Sequence, residues 1–216
     1  MTVQVKICGI AGPSDYLACR DSGACWTGMV HYPASSRHLS ISTLARLASC
    51  ATEAGISAPK RVLLSVDVVG DALAPLIKAS QPDMLQLHGQ ESPFAVNAIK
   101  QQFGLPIIKA VAIATKDDLK LSKQWHGLAD WLLFDAKVEA GTQPGGTGHS
   151  FDWSLLTGYR GQTPWMLAGG LDPETVGKAV AVSGARAVDV SSGVETSPGK
   201  KDAAKIHAFI RAAQLV

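Results

Sequence analysis

The sequence predicts an α/β protein, a single (β/α)8 TIM barrel of eight parallel strands that takes residues 1–216 as one catalytic domain. Short β-rich runs alternate with longer segments of helical period, the pattern of a parallel sheet with crossover helices. The runs begin near Val3, Cys25, Arg61, Asp83, Pro106, Asp130, Pro164 and Ala187, enough for eight units. The length, 216 residues, is near the lower end for a closed barrel and leaves little room for inserted domains or long lids. An open doubly wound sheet is the alternative for the same alternation.

The strands carry a second signal, because successive side chains on a strand point to opposite faces. In the first run Val3, Val5 and Ile7 share one side while Lys6 and Cys8 share the other. Gln86 and His88 oppose Leu85 and Leu87 in the fourth, and Asp189 opposes Val188 and Val190 in the eighth. A barrel turns its apolar parity toward the helices, so the polar set points inward, with Cys8, His88 and Asp135 at the C-terminal mouth where barrel enzymes place their chemistry. Lys6, Gln86 and Lys109 lie deeper and read as a buried structural network, with Asp189 a candidate counter-charge, because buried charge must be paired. Taken alone, Cys8 reads as an ordinary buried thiol, and His88 fits a packed residue as well as a ligand contact.

Between the strands, Leu44, Leu47, Ala48 and Ala51 follow the i, i+3, i+4, i+7 spacing of a one-faced helix, and Ile206, Phe209, Ile210 and Ala213 repeat it. Pro13 after Gly12, and the pair Asp172-Pro173, mark helix starts. The longest irregular stretch runs from about Ala136 to Ser150 and is Gly-rich. A long loop at that end of a strand is more often functional than idle.

Composition narrows the function classes. With 46% hydrophobic and 18% charged residues the chain is globular, and a formal charge of +2 is too mild to point to a nucleic-acid or membrane partner. No apolar run approaches the roughly 18 residues of a spanning helix. Lys6 interrupts the apolar N-terminal stretch, unlike a secretory signal, so a cytoplasmic protein is expected. Cys8, Cys19, Cys25 and Cys50 form no CxxC pair and read as reduced thiols. His31, His126, His149 and His207 lack metal-ligand spacing, so no metal site is expected.

Three glycine-rich loops follow consecutive late strands: Gly145-Gly146-Thr147-Gly148, Ala168-Gly169-Gly170 and Ser191-Ser192-Gly193. Glycines let the backbone approach a ligand, and exposed N–H groups near a helix start bind phosphate. Turn geometry explains one such loop. Three in the sector of a barrel that commonly holds phosphate point to a phosphorylated small-molecule substrate, bound through Gly146, Thr147, Gly148, Gly169, Gly170, Ser191, Ser192 and Gly193.

Longer motifs join these residues: KICGI at Lys6 to Ile10, a YPxSxR-like stretch at Tyr32 to Arg37, QLHG at Gln86 to Gly89 and LFDA around Phe134. GGTGHSFDW from Gly145, LAGGLDPETV from Leu167 and AVDVSSGVETSPGKKD from Ala187 complete the set. In this order the chain resembles the phosphoribosylanthranilate isomerase family of tryptophan biosynthesis. The resemblance implies a cofactor-free Amadori rearrangement of a phosphorylated aminoaldose to an aminoketose, in a monomer or homodimer. It further implies Cys8 as general base, Asp135 as general acid and Arg37 as the contact to the anthranilate carboxylate; His88 and Asp189 read beside them as substrate-binding or orienting residues of the pocket. Two stretches depart from the family pattern, Gly28 to Pro33 and Leu63 to Asp67, and they concern the pocket wall near strands two and three. The competing readings are another sugar-phosphate isomerase or epimerase barrel, and a non-catalytic phosphate-binding barrel that has no need of both Cys8 and Asp135.

Overall fold

A computed structural model describes residues 2–53, 58–137 and 150–216. Eight strands close into an all-parallel barrel in sequence order: β1 (Gln4–Cys8), β2 (Trp26–His31), β3 (Lys60–Ser65), β4 (Met84–Leu87), β5 (Ile107–Ile113), β6 (Trp131–Ala136), β7 (Trp165–Leu167) and β8 (Ala187–Val190). Each begins within a residue of its expected start. β1 pairs with both β2 and β8, which closes the sheet and excludes the open doubly wound alternative.

Helices α1 (Pro13–Asp21), α2 (Ile41–Glu53), α3 (Ala74–Ser80), α4 (Pro93–Phe103), α5 (Lys116–Leu121), α6 (Val176–Ser183) and α7 (Ala203–Gln214) connect the strands. A short hairpin of β9 (Glu195–Ser197) and β10 (Lys200–Lys201) follows β8. Leu44, Leu47, Ala48 and Ala51 are buried on α2, as are Ile206, Phe209, Ile210 and Ala213 on α7, as their spacing requires. Pro13 opens α1 after Gly12 as expected. Asp172 does not open α6: its side chain accepts from the N–H groups of Glu174 and Thr175, forming a turn, and α6 starts at Val176. Between β6 and β7 the described residues hold a 3-10 turn, Trp153–Leu156, where a regular sixth unit would have an α-helix. Thr157, with ψ at 119°, leaves the helical region and ends that turn.

Two layers of core follow from the strand parity. Val3, Val5, Ile7, Leu85, Leu87, Leu132, Phe134, Val188 and Val190 pack outward against the helices. Trp26, Val62, Met84, Ile108, Leu133, Met166 and Ala187 fill the barrel from inside. Lys109 departs from its expected place: it shares the outward parity of Ile107 and Ile113, and its ammonium meets Glu91 at 2.9 Å and lies 5.3 Å from the Trp125 ring centroid. The barrel-interior network therefore excludes it. Among the described residues no helix is long and apolar enough to cross a membrane.

Phe134 is sealed under the rings of Tyr159 and Trp165, with centroids at 5.2 and 5.6 Å. Phe134→Ala is expected to lower stability by about 3–5 kcal/mol, measured by urea unfolding. A loss within about 0.5 kcal/mol, the range of neutral surface changes, would contradict the outward packing described here.

Candidate active site

The inner face of β1 presents Lys6 and, one step nearer the mouth, Cys8. Register places Lys6 beside Asp189 on β8, and the ammonium donates to that carboxylate at 2.8 Å. Lys6 is wholly shut off from solvent and Asp189 nearly so. Burial alone would lower the Lys6 pKa, but Asp189 and, second to it, Cys8 outweigh the burial and raise it. Cys8 stands in the opposite balance. Burial pushes its thiol up, Lys6 pulls it down, Asp189 pushes it up again, and the net direction is upward. In the free protein the sulfur therefore keeps its proton at neutral pH. Gly28, in register with Cys8, leaves the room this arrangement needs: a Cβ there would stand 2.7 Å from Cys8 Sγ and 3.2 Å from Lys6 Nζ.

Across the barrel, Asp135 projects inward near the end of β6 and accepts the Ala136 N–H at 2.8 Å. His88 stands just past β4, with Gln86 Nε2 at 2.9 Å from its Nδ1. With Gln86 donating, Nδ1 accepts and the ring proton sits on Nε2, which faces Asp135 Oδ2 at 3.5 Å. That separation is a polar contact longer than a formed hydrogen bond. The expected inward set of Cys8, Gln86, His88, Asp135 and Asp189 is thus confirmed in parity. The wall beside strands two and three, where the sequence departs from the family pattern, is apolar: Val30, Leu64, Tyr32 and Val66 cluster with Cys8.

Of the anticipated phosphate loops, Gly146, Thr147 and Gly148 lie outside the described residues. Gly169 and Gly170 have left-handed φ values of 87° and 64°, and a Cβ on Gly169 would come within 2.8 Å of the Ala136 amide nitrogen. Ser191 donates to the Cys8 carbonyl at 3.0 Å, and a 3-10 turn, Ser192–Val194, follows it. Gly193 abuts the Leu171 carbonyl with no room for a side chain, so the loops after β7 and β8 are in contact.

Arg37 leaves the loop after β2 and lies against Gly9, where a side chain would collide with it. Its guanidinium meets Glu195 through Nε at 2.7 Å and Nη2 at 2.8 Å. Glu195 also receives Lys201 at 2.7 Å, and Lys201 donates to the Ser191 carbonyl at 2.9 Å. Sequence reasoning placed Glu195 and Lys201 only inside a longer motif; the hairpin brings Lys201 to Glu195, and the closed fold brings Arg37, 158 positions away.

A closed eight-stranded barrel with its polar side chains gathered at the carboxyl ends of the strands is the architecture of the barrel enzymes. Within that class a family model described as N-(5'phosphoribosyl)anthranilate (PRA) isomerase matches residues 5–212. The chain belongs to this family. It is 46% identical to N-(5'-phosphoribosyl)anthranilate isomerase of Parvibaculum lavamentivorans over 99% of both chains, and 46% identical to that of Cereibacter sphaeroides over 98% of this chain and 99% of the relative. Its fold is similar to the crystal structure of phosphoribosyl anthranilate isomerase from Thermotoga maritima, with a TM-score of 0.85 and 34% identity over 99% of this chain and 100% of that one. A second similar structure holds reduced 1-(o-carboxyphenylamino)-1-deoxyribulose 5-phosphate, with a TM-score of 0.83 and 33% identity over the same shares.

The Lys6–Asp189 pair makes its own prediction. Because the Lys6 pKa is raised from 10.5, the lysine's contribution is complete at neutral pH and is lost as pH rises through that raised value. Lys6→Met should destabilise by about 3–5 kcal/mol at pH 7, since it strands a buried carboxylate, whereas adding Asp189→Leu should recover most of that loss. Urea unfolding of both variants decides it; a double variant no more stable than the single one would refute the pairing.

Proposed function

We propose that this chain, as one catalytic barrel over residues 1–216, converts N-(5-phosphoribosyl)anthranilate to 1-(2-carboxyphenylamino)-1-deoxyribulose 5-phosphate in tryptophan biosynthesis, by general acid-base catalysis with Cys8 and Asp135. The observation that carries this reading is the shared inward direction of a thiol ending β1 and a carboxyl on β6, at one mouth of a barrel in this family. The setting is a cytoplasmic enzyme with a phosphorylated aminoaldose as its partner, acting as a monomer or homodimer; the similar structures include monomers of the dimeric Thermotoga maritima isomerase.

The reaction opens the furanose and moves one hydrogen between adjacent carbons. Protonated Asp135 gives its proton to the ring oxygen as the C1′–O bond breaks, leaving a C1′=N iminium. That cation acidifies the C2′ hydrogen. Cys8 as thiolate takes it, and the C–H electron pair forms the C1′=C2′ bond of an enolamine, which gains a proton at C1′ as its C2′ hydroxyl loses one and becomes the C2′ ketone. The pair therefore needs one proton at the start, on the carboxyl and off the sulfur.

With ordinary pKa values near 8.5 and 4, moving that proton from thiol to carboxylate is uphill by about 6 kcal/mol. Burial of Cys8 adds to the cost, and Lys6 and Lys201 reduce it by favouring charge on the sulfur. Asp189 keeps Lys6 charged and in place. His88, aimed at Asp135, orients the carboxyl. The apolar wall of Val30, Leu64, Tyr32 and Val66 suits the aromatic ring, and Arg37 its carboxylate. Gly169, Gly170, Ser191, Ser192 and Gly193, with Gly146, Thr147 and Gly148 from the remaining loop, receive the phosphate.

Cys8→Ser and Asp135→Asn should each lower kcat by at least about 100-fold while leaving unfolding midpoints close to the unsubstituted protein's. Turnover is read as the loss of fluorescence of freshly generated phosphoribosylanthranilate, with neither metal nor nucleotide added. Near-normal turnover in either variant would remove that residue from the mechanism. Tight phosphate-ligand binding by the unsubstituted protein without turnover of any aminoaldose would favour a non-catalytic barrel.

A further inference from the structure

Glu195 opens the hairpin β9–β10 with its side chain almost wholly buried, and its carboxylate is crowded with donors. Arg37 Nε and Nη2 approach at 2.7 and 2.8 Å, Lys201 Nζ at 2.7 Å, and the Gly199 N–H at 3.2 Å. Lys201 reaches on to the carbonyl and hydroxyl of Ser191, whose hydroxyl donates to the Cys8 carbonyl. One carboxylate thus joins the loop after β2, the loop after β8 and the strand that ends in Cys8.

We infer that Glu195 is the positioning residue for Arg37, fixing the plane of the guanidinium that receives the aryl carboxylate and, through Lys201, setting that contact relative to the phosphate loop. The inference rests on the functional reading above. A two-point ion pair holds a planar fork in one orientation, which a single-point contact does not. Two cations, Arg37 and Lys201, thus share the one carboxylate of Glu195. Burial would raise the Glu195 pKa, yet the hydrogen bond from Arg37 and the charge of Lys201 hold it below its ordinary value, so Glu195 is ionised at neutral pH. Burial lowers the Lys201 pKa and Glu195 opposes that fall; without Glu195, Arg37 and Lys201 would repel each other at close range.

A merely structural hairpin and a positioning carboxylate predict different outcomes. Purified wild-type protein and Glu195→Gln are titrated calorimetrically with reduced 1-(o-carboxyphenylamino)-1-deoxyribulose 5-phosphate and with the same compound lacking the carboxylate. Glu195→Gln should cut the preference for the carboxylated compound by at least about 10-fold and change affinity for the other by less than about 2-fold. In turnover, KM should rise with kcat within about 3-fold, the mark of lost ground-state and transition-state binding together. Equal weakening of both compounds, or an unchanged preference, overturns the inference. Should Glu195→Gln not fold, Glu195→Asp keeps the charge on a shorter arm and should still lose at least about 3-fold of the preference; full retention overturns the inference there too. A wild-type protein that converts no phosphoribosylanthranilate defeats the functional reading itself, whereas an active wild type with an unselective Glu195→Gln defect defeats only the role of Glu195.

Discussion

The barrel closes where its first strand meets its eighth, and at that seam an ammonium is buried against a carboxylate. A lone charge at the position of Lys6 would carry a desolvation cost of several kcal/mol, so the sequence that places Lys6 on the inner face of β1 must also bring Asp189 to it. The closed, parallel register does so across 183 positions of sequence, pairing β1 with β8. The pair then becomes the floor of the mouth. Cys8 sits directly above it, and the loops that follow β1 and β8 meet through Ser191.

This floor sets the electrostatic character of the site. Two lysines act on one sulfur that burial would otherwise leave fully neutral, while Asp189 restrains how far they can favour the thiolate. The resting protein keeps the proton on sulfur; the proposed mechanism needs it on the carboxyl across the barrel. In the proposed mechanism such a site spends most of its time in the resting proton arrangement, and the groups that favour the other arrangement matter as much as the two that exchange the proton. The hairpin after β8 extends the same logic outward, holding Arg37 and Lys201 together through a single acid.

Much of this was legible in the sequence because barrel strands obey a period of two. The inward parity of Lys6, Cys8, Gln86, His88, Asp135 and Asp189 could be read from alternation with Val5, Ile7, Leu85, Leu87 and Val188, and each strand start fell within a residue. Lys109 was misread because a buried lysine on the outward face looks the same in sequence as one on the inward face; what satisfies it is Glu91, past the end of β4, together with the Trp125 ring. Glu195 and Lys201 were hidden for a related reason. Their chemistry depends on Arg37, which joins them only after the chain has gone once around the barrel. Asp172-Pro173 marked a turn, and the helix followed three residues later, since side-chain acceptors stabilise turns and helix starts through the same N–H groups.

The central claim is spatial: a sulfur from the first strand and a carboxyl from the sixth act on one ribose. A crystal structure of this protein with reduced 1-(o-carboxyphenylamino)-1-deoxyribulose 5-phosphate bound tests it most directly. The account predicts Cys8 Sγ within about 3.5 Å of C2′ and the Asp135 carboxyl within hydrogen-bonding reach of the sugar's C4′ oxygen, with the phosphate on the loops after β7 and β8. Sulfur and carboxyl facing away from the same sugar, or a phosphate bound at another part of the barrel, would contradict it.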